Sequence, residues 1–265
     1  MVHSATNISL TLERGKIHAL ICESGCGKST IAQAITGLLP ATARVTGKVV
    51  YSGQNILGKQ NHFSGRHIAL IPQSAATFLT PVRTVGAQLA ETIAILKGSL
   101  SPEELMVQVD LDPDVLELYP HEISGGMAQR AAVAFALAGA PDIVIADEPT
   151  AFLDPERKAG FRLLRQIADH GTAVMLITHD ISALVDTGVA DRVSVCYASR
   201  IVESGEAKMV LKGGAQSRYT QDLLAVLPRN GLHRMPGTPP ELTNLPDDYT
   251  YETRFALSEE AQCRV

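Results

Sequence analysis

Cys22-Glu23-Ser24-Gly25-Cys26-Gly27-Lys28-Ser29 decides the fold, because of what stands on either side of it. Before it runs Ile17-His18-Ala19-Leu20-Ile21-Cys22, a short apolar stretch that reads as a buried strand. After it, residues 29–39 have helical composition and stop at Pro40, which disfavours helix in the residue before it. Strand, glycine-rich loop, helix is the order a phosphate-binding loop requires. The octapeptide fits that pattern at every position but the first, where Cys22 replaces glycine. Cys22 is tolerated there only if the position does not need φ > 0. Gly25 and Gly27 let backbone N–H groups turn inward onto phosphate oxygens at the helix N-terminus. Lys28 would reach the β- and γ-phosphates, and the Ser29 hydroxyl would hold Mg2+. Taken by itself, the stretch also reads as an ordinary glycine-rich turn.

Working outward, residues 67–72 form another apolar strand, followed at once by Gln73. From 74 to 140 the strand pattern disappears and helical segments dominate. Ser101-Pro102-Glu103-Glu104 is a helix start, with a Ser cap, Pro at the first position and Glu three after the cap. Strand character returns at Ile143-Val144-Ile145-Ala146 and at Ala173-Val174-Met175-Leu176-Ile177. Between them Phe161, Leu164, Ile167 and Ala168 line one helix face. Strands separated by helices imply an α/β fold with a mostly parallel sheet. The expected organisation is a core of residues 1–73 and 141–212, an inserted helical subdomain over 74–140, and a C-terminal extension over 213–265. That extension is rich in Pro, Asn and charge, and Pro236-Gly237-Thr238-Pro239-Pro240 reads as extended.

Composition narrows the function classes. Nearly half of the 265 residues are apolar, at 45%, which supports a sizeable core and excludes wholesale disorder. A formal charge of −5 argues against a general nucleic-acid binder. The most apolar region, residues 131–146, is broken by Gly139, Pro141 and Asp142 and is too short to span a bilayer. The residues after Met1 have no signal-peptide character, so the chain reads as cytosolic, with any membrane role supplied by a partner. Cys22, Cys26, Cys196 and Cys263 match no zinc spacing, and a cytosolic setting disfavours disulfides. Cys22 and Cys26 are therefore expected to be small structural residues of the loop.

Three further features bear on chemistry. Asp147-Glu148 end an apolar strand, a place suited to Mg2+ coordination by the first and water activation by the second, although a solvated strand end is the alternative. Ser124-Gly125-Gly126 opens a helical run; two glycines there expose N–H groups to an anion, or simply cap a helix. Gln73 alone is an unremarkable polar residue, and His179 after a strand is more often structural.

Together these residues, from about 9 to 205, resemble an ABC ATPase, a P-loop NTPase whose signature motif is similar to Ser124-Gly125-Gly126-Met127-Ala128-Gln129. The resemblance implies that ATP is sandwiched between Ser24, Gly25, Cys26, Gly27, Lys28, Ser29 and Thr30 of one subunit and Ser124, Gly125 and Gly126 of another. It implies Mg2+ at Ser29, Asp147 and Gln73, the last being the Q-loop glutamine. Glu148 would be the general base and His179 the switch histidine on the γ-phosphate. Ala151-Phe152-Leu153-Asp154 is similar to the D-loop, which places Asp154 at the nucleotide interface.

A narrower likeness is to the peptide and nickel importer ATPases. It rests on Leu79-Thr80-Pro81-Val82-Arg83-Thr84-Val85-Gly86, Tyr119-Pro120-His121-Glu122, Tyr197-Ala198-Ser199-Arg200-Ile201-Val202-Glu203 and, in the tail, Tyr219-Thr220-Gln221-Asp222-Leu223-Leu224 and Pro236-Gly237-Thr238-Pro239-Pro240-Glu241-Leu242. It implies an ATP-hydrolysing subunit of an importer for peptides, nickel or metal chelates. The implied partners are a second ABC ATPase, identical or related, two transmembrane permease subunits and, indirectly, an extracytoplasmic solute-binding protein. The implied location is the cytoplasmic face of the membrane, and no nucleic acid is expected. A non-transport ABC ATPase and a degenerate regulatory subunit are the competing readings. The sequence has neither a second cassette nor a coiled coil for the first, and intact Lys28, Asp147, Glu148 and His179 oppose the second.

Two departures stand out. Many members carry a tail cysteine cluster able to ligate an iron–sulfur centre, but Tyr249 and Phe255 stand at two of those places and Cys263 alone remains, so no cluster is expected. Members also place an adenine-stacking aromatic before the phosphate loop. The first aromatic here is Tyr51, so either the native start lies upstream or adenine is held another way.

Overall fold

The structure, a computed structural model, describes residues 2–23, 25–74, 78–149, 154–231, 235, 237–243, 245–246 and 249–254, with the side chains of 154–158 excluded. Ser24, residues 150–153 with the expected D-loop, the Asp154 side chain, Pro236, Phe255 and Cys263 lie outside the described residues. In chain order the elements are β1 (Ile17–Ile21), α1 (Lys28–Thr36), β2 (Val50–Tyr51), β3 (Gln54–Asn55), β4 (Ile68–Ile71), α2 (Val85–Leu96), α3 (Pro102–Gln108), α4 (Gly125–Leu137), β5 (Ile143–Asp147), α5 (Asp154–Asp169), β6 (Ala173–Thr178), α6 (Ile181–Thr187), β7 (Arg192–Tyr197), β8 (Arg200–Glu206), α7 (Ala207–Met209) and α8 (Arg218–Ala225). Two compact units share them. One comprises Met1–Thr11, His18–Ile31 and Thr178–Val265; the other comprises Leu12–Ile17 and Ala32–Ile177.

In the first unit β1 pairs in parallel with β7, His18 opposite Arg192 and Ile21 opposite Val195. All five residues of β1 are buried, as a strand covered on both faces must be. β7 returns through an antiparallel pairing with β8, Val193 opposite Gly205, with an irregularity between Val195 and Cys196. The two-residue turn is Ala198-Ser199, with φ of 46° and 66°. Both signs match a type I′ hairpin, which normally calls for Asn-Gly, so the sequence carries no turn signal here. The N-terminal segment supports the turn: Thr6 N–H donates to the Ser199 carbonyl at 2.8 Å, and the Ser199 hydroxyl donates to the His3 carbonyl.

In the second unit β4, β5 and β6 run parallel, Ile71 opposite Ala146 and Ala146 opposite Leu176. Val144, Ile145 and Ala146 of β5 are fully buried, and Phe161, Leu164, Ile167 and Ala168 of α5 are at most 4% exposed, as their spacing implies. The capping box expected at Ser101 forms. Glu104 N–H donates to Ser101 Oγ at 3.2 Å and Ser101 N–H donates to Glu104 Oε2 at 2.7 Å. α1 ends before the expected Leu39, because Gly37 turns left-handed with φ 75°. A Cβ at Gly37 would lie 2.9 Å from Gln60 Cβ, so the close approach of residue 60 reinforces the stop.

Candidate functional site

The glycine-rich loop of the first unit folds as its residues require. Gly25 and Gly27 have φ of 83° and 92°, the left-handed region where a side chain costs most. A Cβ on Gly27 would also collide with the Ser4 carbonyl, so that position is closed to anything larger. Cys22 is not among the positive-φ residues, which is why it replaces glycine at the pattern's first position without strain. α1 opens at Lys28, and Lys28, Ser29 and Thr30 form its first turn, where orphan N–H groups and the helix dipole favour an anion. Lys28 is 6% exposed; its Nζ donates to the carbonyls of Cys22 at 3.0 Å and Glu23 at 3.1 Å. The ammonium is thus folded back on the loop it would leave to meet a polyphosphate.

Cys22 and Cys26 are both buried, with Cα atoms 6.6 Å apart. Between them the loop turns at the left-handed Gly25, which brings the two side chains together. Cys196 is buried and free, and burial pushes its thiol up to about 12 against the pull of the Lys28 charge. Such a thiol is inert at neutral pH.

Glu23 was no part of the expected site, yet two residues of the C-terminal part of the chain hold it. Its carboxylate pairs with Arg254 Nη1 at 2.8 Å, and its backbone N–H donates to the Tyr219 hydroxyl at 3.4 Å. No local pattern marks either partner, 196 and 231 positions further along. Tyr197, Tyr219, Tyr249 and Tyr251 form one ring cluster around them, with centroid separations of 4.6 to 6.3 Å. Burial raises the pKa of Tyr197, Tyr219 and Tyr251, so all three remain neutral phenols.

In the second unit the acidic pair closes β5. Asp147 is the strand's last residue, 7% exposed. Glu148 follows with φ 48°, while its N–H still donates to the Ile177 carbonyl at 2.9 Å. A left-handed glutamate costs about 1–2 kcal/mol, so the chain tolerates strain at this position. Gln73, exposed after β4, donates from Nε2 to Glu148 Oε2 at 3.2 Å. The structure therefore brings together Gln73 and Glu148, which are 75 positions apart in sequence.

Ser124 caps α4, its Oγ accepting from Met127 N–H at 3.2 Å. Ser124 and Gly125 are exposed, and a Cβ on Gly125 would meet nothing within 4 Å. That start is open to an approaching anion, with no Cβ in the way at Gly125. Gln129, one turn on, is 1% exposed, and both polar atoms of its amide lack a partner. His179 is exposed after β6, in the first unit; its carbonyl accepts from Ile181 N–H, and Asp180 caps α6 through Ala183 N–H at 2.9 Å. The donors expected for a cation, Ser29, Asp147 and Gln73, are all oxygens, the set a hard ion such as Mg2+ takes alongside substrate phosphates and water. Among the described residues no cluster of His, Cys, Asp and Glu forms a self-contained metal cage.

Residues 5–151 match the sequence profile of the family described as ABC transporter. The chain belongs to the ABC transporter family. It is an ATP-hydrolysing cassette of the ABC type. It is 37% identical to the dipeptide transport ATP-binding protein of Bacillus subtilis (strain 168), over 96% of this chain and 81% of that protein. It is 35% identical to the probable D,D-dipeptide transport ATP-binding protein of Escherichia coli (strain K12), covering 99% and 85%, and 32% identical to the oligopeptide transport ATP-binding protein of Haemophilus influenzae, covering 100% and 87%. Among solved structures, the ATP-binding cassette MJ0796 in a dimeric post-hydrolysis state with ADP and Pi shares the fold, with a TM-score of 0.64, 24% identity and coverage of 77% of this chain and 91% of that one. An ATP-binding subunit of an ABC transporter reaches 0.67 at 23% identity, covering 84% and 92%. Among the described residues no helix of this cassette is long and apolar enough to cross a membrane.

Proposed function

We propose that this cassette powers the import of peptides, dipeptides or short oligopeptides foremost, with nickel or a metal chelate as the alternative solute. One observation carries the reading: likeness to dipeptide and oligopeptide transport ATP-binding proteins runs through 96–100% of the chain, tail included, where the family profile covers only 5–151. In this reading residues 1–73 and 141–212 are the nucleotide core, 74–140 the helical subdomain and 213–265 the tail. Ser24, Gly25, Cys26, Gly27 and Thr30 take phosphate oxygens through loop and first-turn groups, and Lys28 exchanges its two carbonyls for the β- and γ-phosphates. Ser29, Asp147 and Gln73 hold Mg2+, which when bound neutralises phosphate charge. Glu148 accepts a proton from the attacking water, and Gln73, hydrogen-bonded to that carboxylate, orients it. His179 contacts the γ-phosphate.

Ser124, Gly125, Gly126 and Asp154 complete the ATP site of a second cassette, identical or related, and two permease subunits hold the pair at the cytoplasmic face of the membrane. An extracytoplasmic binding protein delivers the solute, and nucleic acid has no part. The test is uptake of a labelled dipeptide and, separately, of radioactive nickel by cells lacking the gene, complemented with wild type, Lys28→Ala or Glu148→Gln. Peptide uptake should return with wild type and stay absent with either variant. Uptake at the wild-type rate with Glu148→Gln would remove the catalytic assignment, and return of nickel uptake alone would change the solute.

A further inference from the structure

We infer that Arg254, in the C-terminal tail, is a positioning residue of the ATP site: it neutralises Glu23 so that the phosphate loop can accept a polyanion. The inference rests on the reading of residues 22–29 as that loop. Glu23 places a carboxylate inside a segment whose other chemistry, inward N–H groups, a helix N-terminus and Lys28, favours negative charge in a ligand. Left unpaired, it would repel the ligand that the rest of the loop attracts. Arg254 answers it from 231 positions away, with Nη1 at 2.8 Å and Nη2 at 3.5 Å from the two carboxylate oxygens.

This is a built contact. The Arg254 side chain is 3% exposed, against 23% for Glu23. Its Nη2 also donates to the Gly237 carbonyl at 3.2 Å, and its guanidinium lies 6.0 and 5.7 Å from the ring centres of Tyr197 and Tyr251. Tyr219, from α8, touches the same glutamate twice, accepting from its N–H and donating to Oε2 at 3.5 Å. Tyr251 is tied in turn to Asp222 of α8 at 2.8 Å. A buried guanidinium held this way is fixed in place before any nucleotide arrives, which is what a bidentate fork provides and a lysine does not. Glu23 also takes Lys28 Nζ on its carbonyl, so one residue carries the tail on its side chain and the loop lysine on its backbone.

The charge account makes a specific forecast. Arg254→Met leaves an uncompensated carboxylate at the loop and should weaken Mg-ATP binding by about tenfold, the effect of one unit charge ~10 Å away at an effective dielectric near ~25. Glu23→Gln leaves the guanidinium uncompensated and should by the same arithmetic bind about tenfold tighter than wild type, and the double variant Glu23→Gln/Arg254→Met, which carries neither charge, should return to the wild-type value. Dissociation constants are measured on the full chain by titration with a fluorescent ATP analogue and competition by Mg-ATP, beside steady-state hydrolysis. The expected split is a raised KM with kcat unchanged. Wild-type affinity in Arg254→Met, or a double variant as weak as the single one, would overturn the inference, the latter assigning Arg254 to packing alone. If Arg254→Met does not fold, Glu23→Gln decides, since the charge account expects tighter Mg-ATP binding from it and unchanged or weaker binding refutes it. Lys28→Ala separates the two levels: if it binds Mg-ATP like wild type, the loop assignment itself has failed, whereas its loss of binding beside an unaffected Arg254→Met removes only the inference.

Discussion

Glu148 holds a left-handed backbone with φ 48°, and that conformation can be tested apart from its chemistry. Replacing it by alanine or by glycine removes the same carboxylate, the same Gln73 hydrogen bond and every other contact of the side chain. The two variants then differ only in backbone preference. Alanine keeps the left-handed penalty, about 1–2 kcal/mol. Glycine escapes it but gives up about 0.5–1 kcal/mol in chain entropy. Taken mid-range, the net advantage of glycine is about 0.75 kcal/mol, the reverse of the usual order inside a folded element. For a chain of this size that corresponds to about 1–4 °C in Tm. Thermal melts of Glu148→Gly and Glu148→Ala, with phosphate release measured on both, provide the comparison. Glu148→Gly should melt above Glu148→Ala, and both should lose about 10²–10⁴-fold in turnover as general-base variants. A glycine variant melting at or below the alanine variant would refute the strain argument whatever the activities show.

Other outcomes follow from the same geometry. The open Ser124–Gly125 start should dock on another cassette's nucleotide, so Glu148→Gln protein, mixed with its related ATPase where one exists, should sediment as a dimer only with Mg-ATP; a monomer at saturating Mg-ATP would count against it. In the native state Cys196 should resist alkylation at pH 8, because a thiol raised to about 12 is protonated throughout that range and gains thiolate only as pH approaches 12; fast labelling there would contradict its burial. Anaerobically purified chain should carry no stoichiometric iron, since one tail cysteine cannot supply the usual four thiolates, and about four irons per chain would overturn that count.

What could be read from sequence was the part governed by near neighbours. β1, β4, β5 and β6 fall within a residue or two of their expected places because each is a short apolar run bounded by a turn or a polar residue. Ser101 announced its helix because capping is chemistry across three residues. The Ala198-Ser199 turn sent no such signal: it borrows its left-handed geometry from hydrogen bonds to His3 and Thr6, which no window around residue 198 contains. The Gly37 stop was missed for a related reason, since Pro40 was the louder breaker and the approach of Gln60 is invisible in sequence.

The same division runs through the site. Lys28, Ser29, Asp147, Glu148 and Ser124 could be proposed from sequence because each belongs to a short local pattern. The Gln73–Glu148 hydrogen bond was not foreseen, since 75 positions separate the pair. The approach of Cys22 to Cys26 could not be read, because spacing alone does not show that the loop turns at a left-handed Gly25. Glu23 is the sharpest case. In sequence it occupies a variable place in the phosphate loop, where a carboxylate looks like a liability; in the structure a guanidinium from the last described residue of the chain is bonded to it. A negative charge at an anion site is tolerable only if something fixed and positive stands against it, and here that group comes from the tail. On this argument the tail belongs to the chemistry of the phosphate loop, and a change that loosens residues 249–254 should be felt first as weaker ATP binding.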